Sequence, residues 1–396
     1  MDGEILGMSI LTKRAPERIG IFLPNWLGDC VMATPALRAI RTHFSPPTRM
    51  VGIMRPYLKE VLAGSNWLDE QWYFNSRQRS AETGHRAILR KIRAARFDMM
   101  ILMPNSPRYA LLAWLGGAAE RIGYVRNGRG PLLTGKVYRP KAGGRLIDLP
   151  MVDYYLRLAE TAGCPPEPRR LELATTAADE QSADQVFRSL GLRKDGRIVT
   201  LNCSGAYGGA KLWPIEYFAR LARRIVDCLD HDILVMCGPS ERKTAQDIVR
   251  LSESRRVFSM ADQPLGIGTA KACVRRSRLM VSTDSGPRHV AAAMGCAVIT
   301  VYGPLMPLWG KNPTVDAVDL HLKYLECIGC GRRTCPYGHH KCMRDLTVDR
   351  VYREVAAWMA RNQETDRKVI QIAAPEHQSD PVRFLRTGRI SAAGGM

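Results

Sequence analysis

A chain of 396 residues exceeds one ordinary domain and points to two or three. Hydrophobic residues at 45% and charged residues at 24% lie near globular averages, which excludes wholesale disorder and fibrous repeats. The 58 Lys and Arg against 38 Asp and Glu leave +20 at pH 7, which is silent on fold and asks for an anionic partner: nucleic acid, an anionic membrane surface or a phosphorylated substrate.

Residues 1–17 carry Asp2 and Glu4 and no apolar stretch ahead of the basic residues, so they read as an extension rather than a secretory signal, and a cytoplasmic location is expected. RIGIFLP (18–24) is the short apolar run of a buried parallel strand, and helical periodicity follows over 30–44. Strand and helix then alternate: MVGIM (50–54), PYLKEVLAG, a basic helix over 85–96 and the apolar FDMMILM (97–103). The apolar tract 109–119 is far short of the roughly 20 residues that span a bilayer. A helix over 151–163 gives way to CPPEPRR, whose prolines cannot continue it, and the linker is placed there. The pattern then restarts: IVTLNC (198–203), a glycine-rich loop, a helix opened by Pro214, and strands at DILVMC (232–237), RLMVS (278–282) and AVITVYG (297–303). Two α/β halves in succession predict two Rossmann-like doubly wound domains facing across a cleft, with ligand sites at the carboxyl ends of strands. The expected bounds are 18–168 for the first domain, 169–195 for the linker, 196–346 for the second domain, 347–370 for a C-terminal helix and 371–396 for a disordered tail.

The charge is uneven. Residues 77–145 hold 15 Lys and Arg against three acids, Glu82, Asp98 and Glu120, which is +12 of the +20 and points to a functional basic face on the first domain. Four clusters then carry chemistry. NWLGD (25–29) follows the first strand, and Asp29 either caps the next helix or points from the strand end into the cleft; Pro35 inside the helical pattern would kink it beside that cleft. SGAYGGAKLWP (204–214) has the length of a P-loop, but Ala210 and Leu212 replace the residues a Walker motif needs, leaving Lys211 as a diphosphate contact. STDSGPRH (282–289) places Pro287 at a first helical position and Gly286 as N-cap, an anion site, with Asp284 suited to a sugar hydroxyl. His289 either donates to a phosphate oxygen or is a structural histidine. Eleven cysteines in a cytoplasmic chain read as thiols or metal ligands, and Cys327, Cys330, Cys335 and Cys342, enclosing His339 and His340, form either a zinc site or a reduced-thiol loop.

NWLGDCVMATPALRAI, SGAYGGAKLWPIEYFARLA, STDSGPRHVAAAMGCAVITVYGP and CIGCGRRTCPYGHHKCMRDLTVDRV resemble, in order and over about residues 18–360, the signatures of the ADP-heptose:lipopolysaccharide heptosyltransferases, glycosyltransferase family nine, most closely its type II members. The resemblance implies a GT-B fold and inverting transfer of a heptose from ADP-heptose to the inner-core heptose of lipopolysaccharide. It implies Asp29 as general base, Lys211 on the diphosphate, and Asp284, Ser285, Gly286 and His289 along the donor. Glu241, with Ser240 as the alternative, is the nearest match to the family's donor-domain acid, and the cysteine block brings no metal requirement. The acceptor side is expected to draw on Asn25 and on Arg77, Arg121 and Arg126. No cofactor is expected besides the donor substrate. The expected partners are ADP-heptose, the lipid A–inner core acceptor and the anionic inner face of the cytoplasmic membrane. The basic first domain and the long tail depart from the family pattern. A nucleic-acid-binding protein is the competing reading of +20, but the aromatic residues of 77–145 sit at core-like positions and no nucleic-acid-binding module is evident.

Overall fold

A computed structural model of the chain describes residues 15–75, 82–205, 207–312 and 316–362. The first half runs β1 (Arg18–Phe22), α1 (Leu27–Met32), α2 (Thr34–His43), β2 (Arg49–Met54), α3 (Lys59–Leu62), β3 (Glu70–Tyr73), α4 (His85–Ala95), β4 (Met99–Leu102), α5 (Pro107–Leu115), β5 (Glu120–Tyr124), β6 (Gly135–Val137), the hairpin β7 (Lys141–Ala142) and β8 (Arg145–Leu146), and α6 (Met151–Thr161). A connecting helix α7 (Ala177–Leu190) leads to β9 (Ile198–Asn202), α8 (Ile215–Leu229), β10 (Asp232–Met236), α9 (Arg242–Ser252), β11 (Val257–Ser259), α10 (Ile267–Arg275), β12 (Leu279–Thr283), α11 (Gly286–Ala293), β13 (Ala297–Val301), β14 (Ala317–Leu320), α12 (Lys341–Arg344) and α13 (Val348–Arg361).

Each half builds a six-stranded parallel sheet of the same order: β3-β2-β1-β4-β5-β6 in the first and β11-β10-β9-β12-β13-β14 in the second. The apolar runs RIGIF and MMIL pair in register, Ile19 beside Met99 and Phe22 beside Leu102, because both faces of each strand are covered. Ile19, Ile21, Met99 and Ile101 share one core with residues of α2 and α6, while Phe22, Met100 and Leu102 share another with α4 and α5. In both sheets the strand order reverses beside the first strand, between β1 and β4 and between β9 and β12, so the loops after β1, β9 and β12 are where such folds place their ligands.

Both sheets lie within one compact unit, Met1–Ala356; a second unit begins at Ala357, and its described residues complete α13. Among the described residues no helix is long and apolar enough to cross a membrane.

Several local expectations are corrected. Pro35 kinks nothing: α1 ends at Met32, and Pro35 stands in the first turn of α2, where its missing N–H leaves no bond unmade. Ser285 rather than Gly286 is the N-cap of α11, and Pro214 is the N-cap of α8 rather than its first residue. Residues 169–195 are not a bare connection. They hold α7, closed at its start by a capping box in which Thr176 and Asp179 exchange side-chain and backbone hydrogen bonds, and at its end by Gly191 in the left-handed conformation. The edge strands β3, β6, β11 and β14, the strand β5 and the hairpin β7–β8 were not anticipated, since two to five residues of mixed polarity carry no readable period.

The halves are tied across the cleft. Glu60 of α3 accepts the amides of Ile267 (2.7 Å) and Gly268 (3.3 Å) at the start of α10. Fully buried Lys271 donates to the carbonyls of Ala63 (3.1 Å) and Ala174 (2.7 Å), binding α10 to the first half and to the segment before α7.

Candidate functional site

Asp29 sits in the first turn of α1, where the free amides of a helix start favour a carboxylate; the N-cap is Trp26, so Asp29 is not the cap. Tyr155 of α6 donates its hydroxyl to Asp29 Oδ1 at 3.2 Å. Burial pushes the Asp29 carboxyl up, the Tyr155 hydrogen bond and the Lys211 charge pull it back in part, and it stays above the ordinary carboxylate value. The adjacent Cys30 thiol, pushed up to about 12 by burial, is inert. Asn25 is held from two sides: its side-chain amide donates to the Tyr109 hydroxyl (2.9 Å), and its carbonyl accepts from Tyr57 (2.6 Å).

Lys211 closes the short turn after the glycine-rich loop and is 7% exposed. Its Nζ donates to Asp284 Oδ2 (2.7 Å) and to the Asp284 carbonyl (2.9 Å), while Arg288, 1% exposed, reaches Oδ1 with Nε (3.1 Å) and Nη2 (3.0 Å). Oδ2 of Asp284 thus accepts from Lys211 and Oδ1 from Arg288, and Asp284 bridges the two cations. Two cations share one anion, leaving one net positive charge beside the start of α11. Asn202, at the end of β9 and 1% exposed, donates to the hydroxyls of Ser282 (2.9 Å) and Ser285 (2.8 Å), which fixes the N-cap hydroxyl of that helix.

His289, on α11, has its Nδ1 2.8 Å from the side-chain amide of Asn312. Burial, reinforced by the Arg288 charge, lowers its pKa to about 3, so it is neutral at physiological pH. The imidazole meets the other half: a Cβ on Gly28 would lie 2.9 Å from His289 Cδ2 and 3.3 Å from the Gly286 Cα. Only glycine at 28 lets α1 and α11 approach this closely, which brings Asp29 into the field of Lys211.

Below this seam lies a cavity of about 580 Å³, lined by Trp26, Gly28, Tyr57 and Glu60 of the first half and by Asn202, Ser204, Met236, Cys237, Gly238, Glu241, Met260, Leu265, Ser285 and Gly286 of the second. Its walls are mainly apolar, with polar groups at the α11 end, the pattern of a site for a flat base attached to a charged group. Glu241 spans its turn, one carboxylate oxygen accepting the Gly238 amide at 2.9 Å.

The cluster therefore brings together Asp29, Lys211, Asp284, Ser285, Gly286 and His289, with Asn25 and Glu241 at its margins. Arg121 is not part of it. It stands at the start of β5, opposite the strand's carboxyl end, and its guanidinium serves the carbonyls of Leu132, Ala118 and Ala119. Arg126 is exposed just past the carboxyl end of β5, and Arg77 lies outside the described residues. Tyr155, Arg288, Asn202 and Tyr57 were missed; the first lies 126 residues from the carboxylate it contacts, a pairing that no local motif announces.

Cys327, Cys330, Cys335 and Cys342 are free thiols, and among the described residues no group of three or more His, Cys, Asp or Glu is arranged to hold a metal ion. Their loop instead buttresses the glycine-rich loop: Tyr207 donates to the Gly331 carbonyl (2.6 Å) and the Ala210 amide to the Arg333 carbonyl (3.0 Å). A Cβ on Gly208 would lie 2.5 Å from that Arg333 carbonyl, which is why glycine stands there.

Two parallel Rossmann-like sheets with their ligand loops converging on one cleft make up a GT-B fold. The sequence profile of glycosyltransferase family 9 (heptosyltransferase) matches residues 85–341, and the chain belongs to that family. It is 23% identical over 350 residues to lipooligosaccharide heptosyltransferase 2 of Campylobacter jejuni, covering 85% of this chain and 98% of the relative. Among solved structures it is similar to a family 9 glycosyltransferase from Veillonella parvula (TM-score 0.74, 22% identity, 87% of this chain and 97% of the other). It is also similar to the Escherichia coli ADP-heptose lipopolysaccharide heptosyltransferase II (TM-score 0.69, 21% identity, 87% and 99%).

Proposed function

We propose that the chain transfers a heptose from ADP-heptose to the inner-core heptose of a lipopolysaccharide acceptor, in one inverting displacement. The observation that carries this reading is the seam at Gly28 and Gly286, where a buried carboxylate from one half faces the Lys211–Asp284–Arg288 trio and a helix start from the other, above a cavity fit for a nucleotide. The acceptor hydroxyl attacks the anomeric carbon as the bond to the diphosphate oxygen breaks. The hydroxyl proton passes to Asp29, and the electron pair leaves with ADP. Lys211 and Arg288, held rigid by Asp284, together with the α11 amides at Ser285 and Gly286, meet the charge growing on the departing diphosphate. The Met236, Met260 and Leu265 walls take the base, and the second carboxylate oxygen of Glu241 suits the ribose hydroxyls.

The displacement as written calls for no resident cofactor. On the acceptor side, Asn25 and the exposed Arg126 flank the approach, and the lipid-held acceptor places the work at the inner face of the cytoplasmic membrane. Calorimetric titration with ADP, UDP and GDP tests the donor half: ADP is expected to bind roughly tenfold or more tighter than the other two, a difference of about 1.4 kcal/mol. Preference for UDP or GDP would replace ADP-heptose by another nucleotide sugar.

A further inference from the structure

The +12 stretch holds, in three dimensions, arginines used inside the fold and a group of five exposed cations on and just past α4. Arg129 is fully buried, donating to the carbonyls of Tyr124 and Pro104 and to Asn105, and Arg121 is occupied as described above. The helix α4, HRAILRKIRAA, by contrast has no acid along its length and exposes Arg86, Arg90, Lys91 and Arg93, with Arg96 just past its end. None of these five forms an ion pair among the described residues, in contrast to Arg193, Arg197 and Arg256, which are matched by Asp195, Asp230 and Asp232. Of the two nearest acids in the chain, Asp98 is held by the Glu17 and Arg18 amides, and Glu82 precedes the helix.

The neighbouring helix α5 supplies the second observation. Its inner face, Tyr109, Ala110, Leu112 and Ala113, is buried, yet Leu111 (43%), Trp114 (51%) and Leu115 (38%) are exposed at i, i+3 and i+4 spacing, so they form one apolar stripe turned to solvent. The two helices are packed side by side: Arg93 Nε donates to the Leu115 carbonyl at 2.9 Å, and a shallow groove of about 460 Å³ lined by Arg93, Arg96, Phe97 and Leu115 joins their ends. Unpaired cations beside an exposed Trp and two Leu match the headgroup and upper acyl layer of an anionic bilayer.

We infer that the α4–α5 face docks the protein on an anionic lipid surface, Leu111, Trp114 and Leu115 entering the interface while Arg86, Arg90 and Lys91 meet the headgroups. The inference rests on the proposed function only in taking the acceptor to be lipid-held; a nucleic acid would want ring faces for stacking, whereas this stripe is two-thirds aliphatic. Asn25 bonding to Tyr109 of α5 links the docked helix directly to the loop that leads into α1 and Asp29, so a bilayer on this face would present its lipid-linked sugar near the acceptor side of the cleft.

The test is co-sedimentation of the full chain, without donor or acceptor, with phosphatidylcholine vesicles and with vesicles containing about one-third phosphatidylglycerol. The wild type is expected to sediment with the anionic vesicles, weakly with the neutral ones, and to be released by salt. The triple variant Arg86→Glu, Arg90→Glu, Lys91→Glu should lose binding by roughly tenfold or more, and Trp114→Ala by several-fold with its salt dependence kept. Transfer to a water-soluble, deacylated acceptor should remain at the wild-type level in both variants, which certifies their fold. Equal vesicle binding by wild type and variants, indifference to lipid charge, or competition by DNA at equal phosphate concentration would overturn the inference while leaving the transfer reading untouched. Loss of soluble transfer in the wild type itself would overturn that reading and not this one.

Discussion

Asp29→Asn is expected to lower transfer by roughly 10²–10⁴-fold while leaving ADP binding nearly intact, because the variant keeps the shape and the Tyr155 hydrogen bond but has no pair for the proton. The geometry gives this residue an unusual balance. An ordinary carboxylate is a weak base, and burial at the seam raises the pKa of Asp29 above that of a free side chain, which brings it closer to the proton it must accept. The acid limb of the rate profile should accordingly fall at a higher pH than an exposed aspartate would give. The same shift fixes the sign of a stability effect. The folded state binds this proton more readily than the unfolded chain, so the group costs stability as pH rises from the ordinary carboxylate range through the raised folded value, and the cost persists at neutral pH. Asp29→Asn should therefore be at least as stable as the wild type at pH 7, measured by urea unfolding. A variant that retained about a tenth of wild-type turnover would remove Asp29 from the role of base.

Asp284→Ala should cost about 3–5 kcal/mol of stability, because it strands Lys211 and Arg288, both nearly buried, against each other. Burial alone would push the Asp284 carboxyl up; the Arg288 and Lys211 charges outweigh it and leave the carboxyl below its ordinary value. A depressed folded value contributes stability that is present above the unfolded pKa and lost as pH falls through the folded one, so the variant should also flatten the acid limb of the stability curve. Lys211→Ala should be milder, since Arg288 still satisfies Asp284 Oδ1. A loss of less than about 1 kcal/mol in Asp284→Ala would mean that the trio is solvated and contributes as a surface pair does.

The architecture was readable because buried parallel strands are short unbroken apolar runs, and IVTLN or MMIL between glycine and polar punctuation has few other readings. The segments after β1, β9 and β12 were readable for a related reason: Asp284 follows such a run directly, and Asp29 and Lys211 stand within the short stretch after one, before or at the start of the next helix. What stayed hidden was the partnership among them. That Lys211 reaches Asp284 and that Tyr155 orients Asp29 are contacts 73 and 126 residues apart in sequence, set by the tertiary fold, whereas Arg288 completes the pair from only four residues on.

Arg121 shows the opposite failure. Its charge counted toward a basic face, but a guanidinium has five donors and is as often used to tie a loop as to meet a ligand; only the positions of the Leu132, Ala118 and Ala119 carbonyls decide which. His289 was undecided between donor and structural roles for a similar reason, since its tautomer depends on Asn312, 23 residues on. The helix α7 was hidden behind the prolines before it, although its capping box was legible at Thr176 and Asp179.

The most direct measurement offers the purified chain ADP-heptose, UDP-sugars and GDP-sugars in turn, each with a deacylated inner-core acceptor that already carries one heptose. Nucleoside diphosphate release and product mass are followed together. ADP release that depends on the acceptor, with product heavier by one heptose, is the predicted result; no release from ADP-heptose, with turnover of a UDP- or GDP-sugar instead, would contradict it.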